Sequence, residues 1–458
     1  MGKYTSRGSE RPLCRAHAGV ALLIAALSAP LSASPVLTFD VVSHTVAAPG
    51  AQPSKGQVLP QDASYPMTVA LAGSALQIDE RDTRIRYDFG KSRIYWLNKP
   101  KKTYQEVSLY TVIGFDVEEF ANRMMLGRSL AAAKIHGNLM APALTEHLMS
   151  LSDKASATVI DRANKDSDTI YSWNGQTLMT VSQKTRELSP AVLQQYLRFL
   201  RYSTGGHPQI LAAIEKGGGV AERLTVVRSN MNIETRTLVL RSIDDRPDDF
   251  SLEGYTREAP QGEPYVTLKR LPASAAVDLE AHARALRQER DAAAAAGRLL
   301  DAMLANFAAS LSDGDMGGAG TWIAAHRDEL NANTEVQTLT RSLAPRDAAS
   351  ATAAADALEK LRESAGPYGY VLNIFEANTR LGLRQGERAI SLFLGALASD
   401  PTITGAWIDL GTAYYGGFRT DAAWACWDAA RSIRPSHPML KAIDDRERKL
   451  RTDHPEFF

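Results

Sequence analysis

A catalytic reading of this chain needs nucleophiles, acid–base pairs or metal ligands at supported spacings, and few groups qualify. Nine histidines are scattered along 458 residues, and the closest pair, His136 and His147, stands eleven apart with no further ligand at zinc-site spacing. There is no G-x-S-x-G, no H-E-x-x-H and no S-x-x-K with supporting motifs. Lys216-Gly217-Gly218-Gly219 lacks the G-K-[ST] ending that would hold phosphate. Asp313-Gly314-Asp315 opens like a calcium loop, but its twelfth position, where a bidentate Glu is needed, is Ala324. The expectation is therefore no catalytic residue, no cofactor and no metal, with a hydrolase assembled only in space as the rival.

The remaining polar and aromatic clusters have ordinary readings. Asp244, Asp245, Asp248 and Asp249 around Arg246-Pro247 read as a solvated turn, and Lys99, Lys101 and Lys102 around Pro100 as a charged hairpin tip guarding a sheet edge. Tyr95, Trp96, Tyr171 and Trp173 have strand spacing and read as core. Cys426, between Trp424 and Trp427, reads as a small buried hydrophobe.

These residues must be positioned by a globular framework, since 44% of residues are hydrophobic and 23% charged, and the length suits about two or three domains. Fifty-two Lys and Arg balance fifty-two Asp and Glu, so the basic excess of a nucleic-acid binder is missing. Lys3, Arg7, Arg11 and Arg15 precede an apolar run from Gly19 to Ala29 and the small residues Ser32, Ala33 and Ser34. That is the pattern of a cleavable signal over 1–33, and the run is too short to cross a bilayer. Cys14 would leave with it, so Cys426 alone could not form an internal disulfide. The mature chain is expected to be exported, periplasmic or secreted, with no integral membrane span.

Residues 36–260 read as an α+β domain. Alternating runs at 36–46, 65–72, 75–79, 83–89, 93–97 and 103–110 make an antiparallel meander, and later strands fall at 157–161, 169–173, 176–182, 223–228, 233–243 and 250–252. Helices interrupt at 117–135 and 142–151; Ser189-Pro190 opens another, and 208–215 is a fourth. A curved antiparallel sheet with helices on one face is the economical assembly. A linker at 261–275 leads to a helical region, 276–366, with an amphipathic helix or helix pair over 276–312 and further helices at 321–343 and 344–364.

A 34-residue repeat is the strongest signal. With Thr404 as its first position, Trp407, Leu410, Gly411 and Tyr414 satisfy W-x2-L-G-x2-Y, and Ala423, Trp427, Ala430 and Pro435 supply the second half. One period earlier stand Ala377, Ala389, Phe393, Ala396 and Pro401, but Asn373, Glu376 and Arg380 depart from the pattern. Residues 370–437 thus resemble two tetratricopeptide repeats. Two repeats leave apolar ends open. Residues 276–364 are expected to cover one end, and a capping helix at 438–451, within the tail 438–458, the other.

The resemblance implies a superhelix whose concave side binds a protein or peptide. Carried over, the groove positions are Val371, Ile374, Asn378 and Leu381 in the first repeat, and Gly405, Ile408, Asp409, Thr412 and Tyr415 in the second. Residues 74–257, from TRIRYDFGKSRIYW to DFSLEGYTRE, are similar in rhythm to the lipoprotein-carrier (LolA/LolB-like) half-barrel, which implies a curved sheet wrapped over helices. The resulting expectation is an exported, soluble, non-enzymatic protein whose repeats dock a protein or peptide partner, with no nucleic acid. Its first domain is expected to bind an apolar or peptide ligand. A lipid or lipoprotein carrier, with an apolar cavity under the sheet, is the alternative.

Overall fold

The computed structural model describes residues 33–48, 59–134, 141–153, 158–229, 232–248, 250–271 and 278–458. The signal expected over 1–33 therefore lies almost wholly outside the described residues. The strands are β1 (Ala33–Ala47), β2 (Gln61–Ala72), β3 (Ala75–Glu80), β4 (Thr83–Asp88), β5 (Arg93–Asn98), β6 (Thr103–Ser108), β7 (Asp161–Lys165), β8 (Asp168–Trp173), β9 (Gln176–Ser182), β10 (Thr185–Glu187), β11 (Gly219–Ala221), β12 (Arg223–Ser229), β13 (Asn232–Pro247) and β14 (Thr256–Arg257). Twelve of them form one sheet in the order β14-β6-β5-β4-β3-β2-β1-β13-β12-β9-β8-β7, while β10 and β11 pair separately. Every pairing is antiparallel except β14 beside β6.

Period-two alternation sends Leu37, Phe39 and Val41 of β1 and Met67, Val69 and Leu71 of β2 to one face, where all are buried. Two helices, α3 (Pro190–Ser203) and α4 (Pro208–Gly217), contribute Tyr196, Phe199, Leu200 and Ile210 to the same core. Phe39 stacks on Phe199 with centroids 6.0 Å apart. The space under the sheet is thereby filled with side chains.

On the opposite face the chain after β13 crosses the sheet. Asp248 accepts both terminal nitrogens of Arg86 at 2.7 Å, and the Arg86 guanidinium covers the Phe250 ring at 4.4 Å. Phe250 in turn lies 5.5 Å from Tyr95. The acidic residues thus form no solvated turn: Asp244 and Asp245 lie within β13, Asp248 fastens a strap, and Asp249 lies outside the described residues. Residues 250–252 form no strand; the last strand is β14, and the strand expected at 157–161 falls instead on β7.

The first helix, α1 (Leu109–Ala132), begins well before the expected residue 117 because the Ser108 hydroxyl accepts the Tyr110 N–H and caps it. It is followed by α2 (Pro142–Met149) and, past the sheet, by α5 (Tyr265–Leu268). The C-terminal region is helical throughout: α6 (Leu279–Ala295), α7 (Leu299–Asp313), α8 (Met316–Ala325), α9 (Arg327–Ala332), α10 (Thr334–Ser342), α11 (Ala348–Ser364), α12 (Tyr370–Gly382), α13 (Gly386–Ser399), α14 (Thr404–Gly416), α15 (Thr420–Ile433) and α16 (Leu440–Asp453). The single helix expected at 321–343 is broken, since Asn333 leaves helical geometry and caps α10 by accepting the Val336 N–H. Asp347 caps α11, so the helix expected from residue 344 begins at Ala348, beyond Pro345. Among the described residues, no helix is long and apolar enough to cross a membrane.

The sheet shares one core with helices α12–α16, and a second core lies among α6–α12. α1 packs on α15 and α16, and the Trp424 indole of α15 presses on α1 where the chain has Gly114. A Cβ at Gly114 would stand 2.6 Å from Trp424 Cη2. Arg93 of β5 meets Asp428 of α15 at 2.7 Å, and Arg451 of α16 donates to Tyr110 Oη and Ser92 Oγ, both at 2.6 Å. Gly114→Ala should therefore cost about 1–3 kcal/mol, the range of overpacked cores. Chemical denaturation measures this, and a change within about 0.5 kcal/mol, as at a surface site, would disprove the wedge.

Candidate functional site

Three helix pairs, α10/α11, α12/α13 and α14/α15, pack one after another. Their first helices, α10, α12 and α14, all contact α7, so the channel that these helices line is occupied by the chain itself. The sequence of α7 explains this. Leu300, Met303 and Leu304 are interspersed with Ala302, Ala305, Ala308 and Ala309, and all are buried, as are the polar Asp301, Asn306, Ser310 and Ser312, so the helix is enclosed almost all round. Phe307 meets Phe375 of α12 edge-on at 5.1 Å, and Asp301 accepts the Gly366 N–H at 2.8 Å.

The expected groove residues are distributed accordingly. Val371, Ile374 and Ile408 are at most 3% exposed, and Gly405 is buried with Leu311 of α7 beside it, so these four face the interior and present nothing to a partner. Leu381 is half-buried against the core. Asp409 is largely buried, which pushes its carboxyl up, and accepts Asn378 Nδ2 at 3.0 Å. Asn378 and Thr412 are exposed.

Tyr415 is a correction of particular weight. Its ring lies 5.6 Å from Trp424 and 5.7 Å from Trp427, the Arg446 guanidinium covers it at 4.2 Å, and its hydroxyl donates to Glu118 of α1 at 2.7 Å. It joins modules instead of awaiting a ligand, and burial with the Glu118 bond raises its pKa to about 12.

The residues of the repeat pattern pack as their types suggest. Ala389, Phe393, Ala396, Trp407, Leu410, Tyr414, Ala423 and Ala430 are fully buried and Trp427 is 1% exposed; a Cβ at Gly411 would collide with the Trp427 indole. Pro401 follows α13 and accepts Trp407 Nε1 at 2.8 Å, and Pro435 follows α15. Glu376 and Arg380, which break the pattern, form a buried ion pair one turn apart, reached by Arg362 of α11. A charged pair thus fills the space that Leu and Tyr occupy in the other repeat.

One cluster of titratable groups was not visible in the sequence. His207, which caps α4, brings its imidazole to Glu146 of α2 at 3.1 Å, and its backbone N–H donates to His147 Nδ1 at 3.0 Å. His147 must then carry its proton on Nε2, which donates to the Val227 carbonyl at 3.1 Å. His207 Nδ1 accepts the Gln209 N–H, so its Nε2–H donates to Glu146. Each imidazole nitrogen is engaged by protein, so the cluster is built as a clamp between α2, α4 and β12 and has no nitrogen free to activate a nucleophile. Burial lowers the His147 pKa to about 4. Burial raises that of Glu146, but the His207 and Asp153 hydrogen bonds outweigh it and leave the carboxyl below its usual range. Sixty residues separate the two histidines, and the only local sign of the second is His before Pro at a helix start.

The Asp313-Gly314-Asp315 loop is likewise spent internally. Asp313 pairs with Arg287, and Asp315 caps α8. Among the described residues, no group of three or more His, Cys, Asp or Glu could hold a metal.

A cleft of about 510 Å³ opens where the two modules meet. β6 forms one wall, the segment through Pro260 and α5 a second, and α15 the third. Its apolar lining includes Val107, Leu268, Leu271, Ala425 and Ala429, and Cys426 lies behind in the core, its thiol pKa raised by burial. The chain matches no family model and no curated protein.

Two outcomes follow. Tyr415→Ala should lower stability by about 2–4 kcal/mol, as for a large core truncation, and Tyr415→Phe by about 1–2 through the lost bond to a charged acceptor. Equal melting temperatures for wild type and Tyr415→Ala would return this residue to the surface. Unfolded His147 binds a proton near pH 6.5 but the folded form only near 4, so folding stability is lost as pH falls through that window. Asp116, pushed up to about 7 by burial and Glu119, acts in the opposite sense between pH 3.8 and 7. The test is therefore the difference between His147→Gln and wild type in urea titrations. The gap should narrow by about 2 kcal/mol from pH 7 to pH 4.5, and parallel pH profiles would refute the assignment.

Proposed function

We propose that this chain is an exported, non-catalytic protein-interaction module in which a half-barrel of the lipoprotein-carrier type and tetratricopeptide-like helix pairs act as one rigid body. The observation that carries this reading is the seam cleft, whose walls come from both modules and whose lining combines aliphatic side chains such as Val107, Leu268 and Leu271 with charged ones. The helix pairs supply the wall through α15 and spend their own channel on α7, so docking is assigned to the seam and not to the channel. A lipid carrier would need room under the sheet; Phe39, Tyr196, Phe199 and Leu200 fill that space, which favours the interaction reading.

Site-specific photocrosslinking in a host that exports the full chain tests this. A crosslinker replacing Leu268, in the cleft, should capture a protein partner in the extracytoplasmic fraction, and one replacing Thr412, on the rim of the channel, should not. N-terminal sequencing of the captured material should begin near Ser34. Capture at Thr412 alone would move docking back to the helix pairs, and recovery of material starting at Met1 from membranes would end the export proposal.

A further inference from the structure

The seam cleft contains an unfinished sheet edge. β14 pairs with β6 through N–H groups two residues apart: Thr256 donates to the Lys102 carbonyl at 2.9 Å and Glu258 to the Tyr104 carbonyl at 2.7 Å. A parallel ladder would continue with residue 260 donating to the Glu106 carbonyl. Residue 260 is Pro, which has no N–H, and the ladder stops there. The edge beyond it is not covered by another strand: among the described residues, Glu106 and Ser108 have no backbone partner along this side of β6. Both residues line the cleft, Ser108 buried at its base, and the register set by the Lys102 and Tyr104 carbonyls puts the Glu106 carbonyl and the Ser108 N–H on this same side of β6.

The charges around this edge are unevenly spent. Glu106 is met by Arg93 and Arg257, and Asp428 by Arg93 and Arg431. Glu258 and Asp421 also line the cleft and have no cation within salt-bridge reach among the described residues; Asp421 accepts only the Tyr265 hydroxyl at 3.0 Å. Lys269 is the one lining cation left unpaired among the described residues. The unspent balance is acidic.

Resting on the interaction reading above, we infer that the seam cleft binds an extended peptide that adds to the open edge of β6 between Glu106 and Ser108. Its backbone completes the rung that Pro260 cannot make. Alternate side chains point two ways in a strand, so aliphatic residues enter the floor formed by Leu268, Leu271 and Ala425 while basic residues face Glu258 and Asp421. The recognised partner is thus a basic and aliphatic strand, not an acidic tail and not a helix.

Fluorescence polarisation with the full chain and a labelled Lys-Val-Lys-Val-Lys peptide tests the inference. Saturable binding is expected, with at least tenfold loss when the peptide backbone is N-methylated at both valines, and at least tenfold loss for the Glu-Val-Glu-Val-Glu peptide. Glu258→Lys, at an exposed position that folding does not need, should weaken binding at least fivefold. Ala425→Arg should abolish it at an unchanged melting temperature; should that variant melt early, Glu258→Lys and the N-methylated peptide still decide. Absence of saturable binding, or equal affinity for the N-methylated peptide, overturns strand addition. Should the probe fail while the crosslinker at Leu268 still captures a partner, strand addition falls and the interaction reading survives; failure of both removes both.

Discussion

The contact of Trp424 with the backbone of α1 at Gly114 is the constraint on which the rest of the arrangement depends. An indole can approach a helix this closely only where no Cβ intervenes, and the approach brings α15 against the sheet module. Tyr110 stacks on the same indole at 6.3 Å, Tyr415 and Trp427 close around it, and Trp424 Nε1 donates to Glu447 of α16. Aromatic surface of this size, excluded from water, makes relative motion of the two modules expensive. The seam cleft lies beside this junction and inherits its rigidity.

Short-range signals in the sequence are legible. Trp407, Gly411, Tyr414 and Trp427 specify a helix pair because each acts on residues within one period, and the alternation in β1 to β6 gave the sheet meander within a few residues. Element bounds depart from the local pattern where one short-range signal outweighs another. The run at 103–110 reads as strand to its end, but the Ser108 cap starts a helix at Leu109; Asn333 cuts a helix that apolar spacing alone would continue.

What was not legible is what depends on distance along the chain. Glu146 and His207 become partners only when α2 and α4 meet β12, and nothing near either residue announces the other. The channel residues were inferred from a pattern that fixes which side of a helix faces inward but not what fills it. The Leu, Met and Ala residues of α7 mark it as a helix rich in buried surface, yet periodicity does not say by which neighbours it is enclosed. Pro260 shows the same limit: its effect on β6 depends on a register between residues more than a hundred and fifty positions apart.

The position of α7 in the chain also bears on the order of folding. Synthesised or exported from its N-terminus, the polypeptide delivers residues 299–313 before α10, α12 and α14, the three helices that enclose them. Until residue 416 has emerged, a helix that ends buried almost all round has no complete shelter. Such exposure favours association with other chains at the same stage. The capacity to hide α7 is therefore set by the speed at which the following hundred residues arrive, and a holding chaperone or rapid translocation would protect this protein more than it would one whose apolar helices are each sheltered as they form.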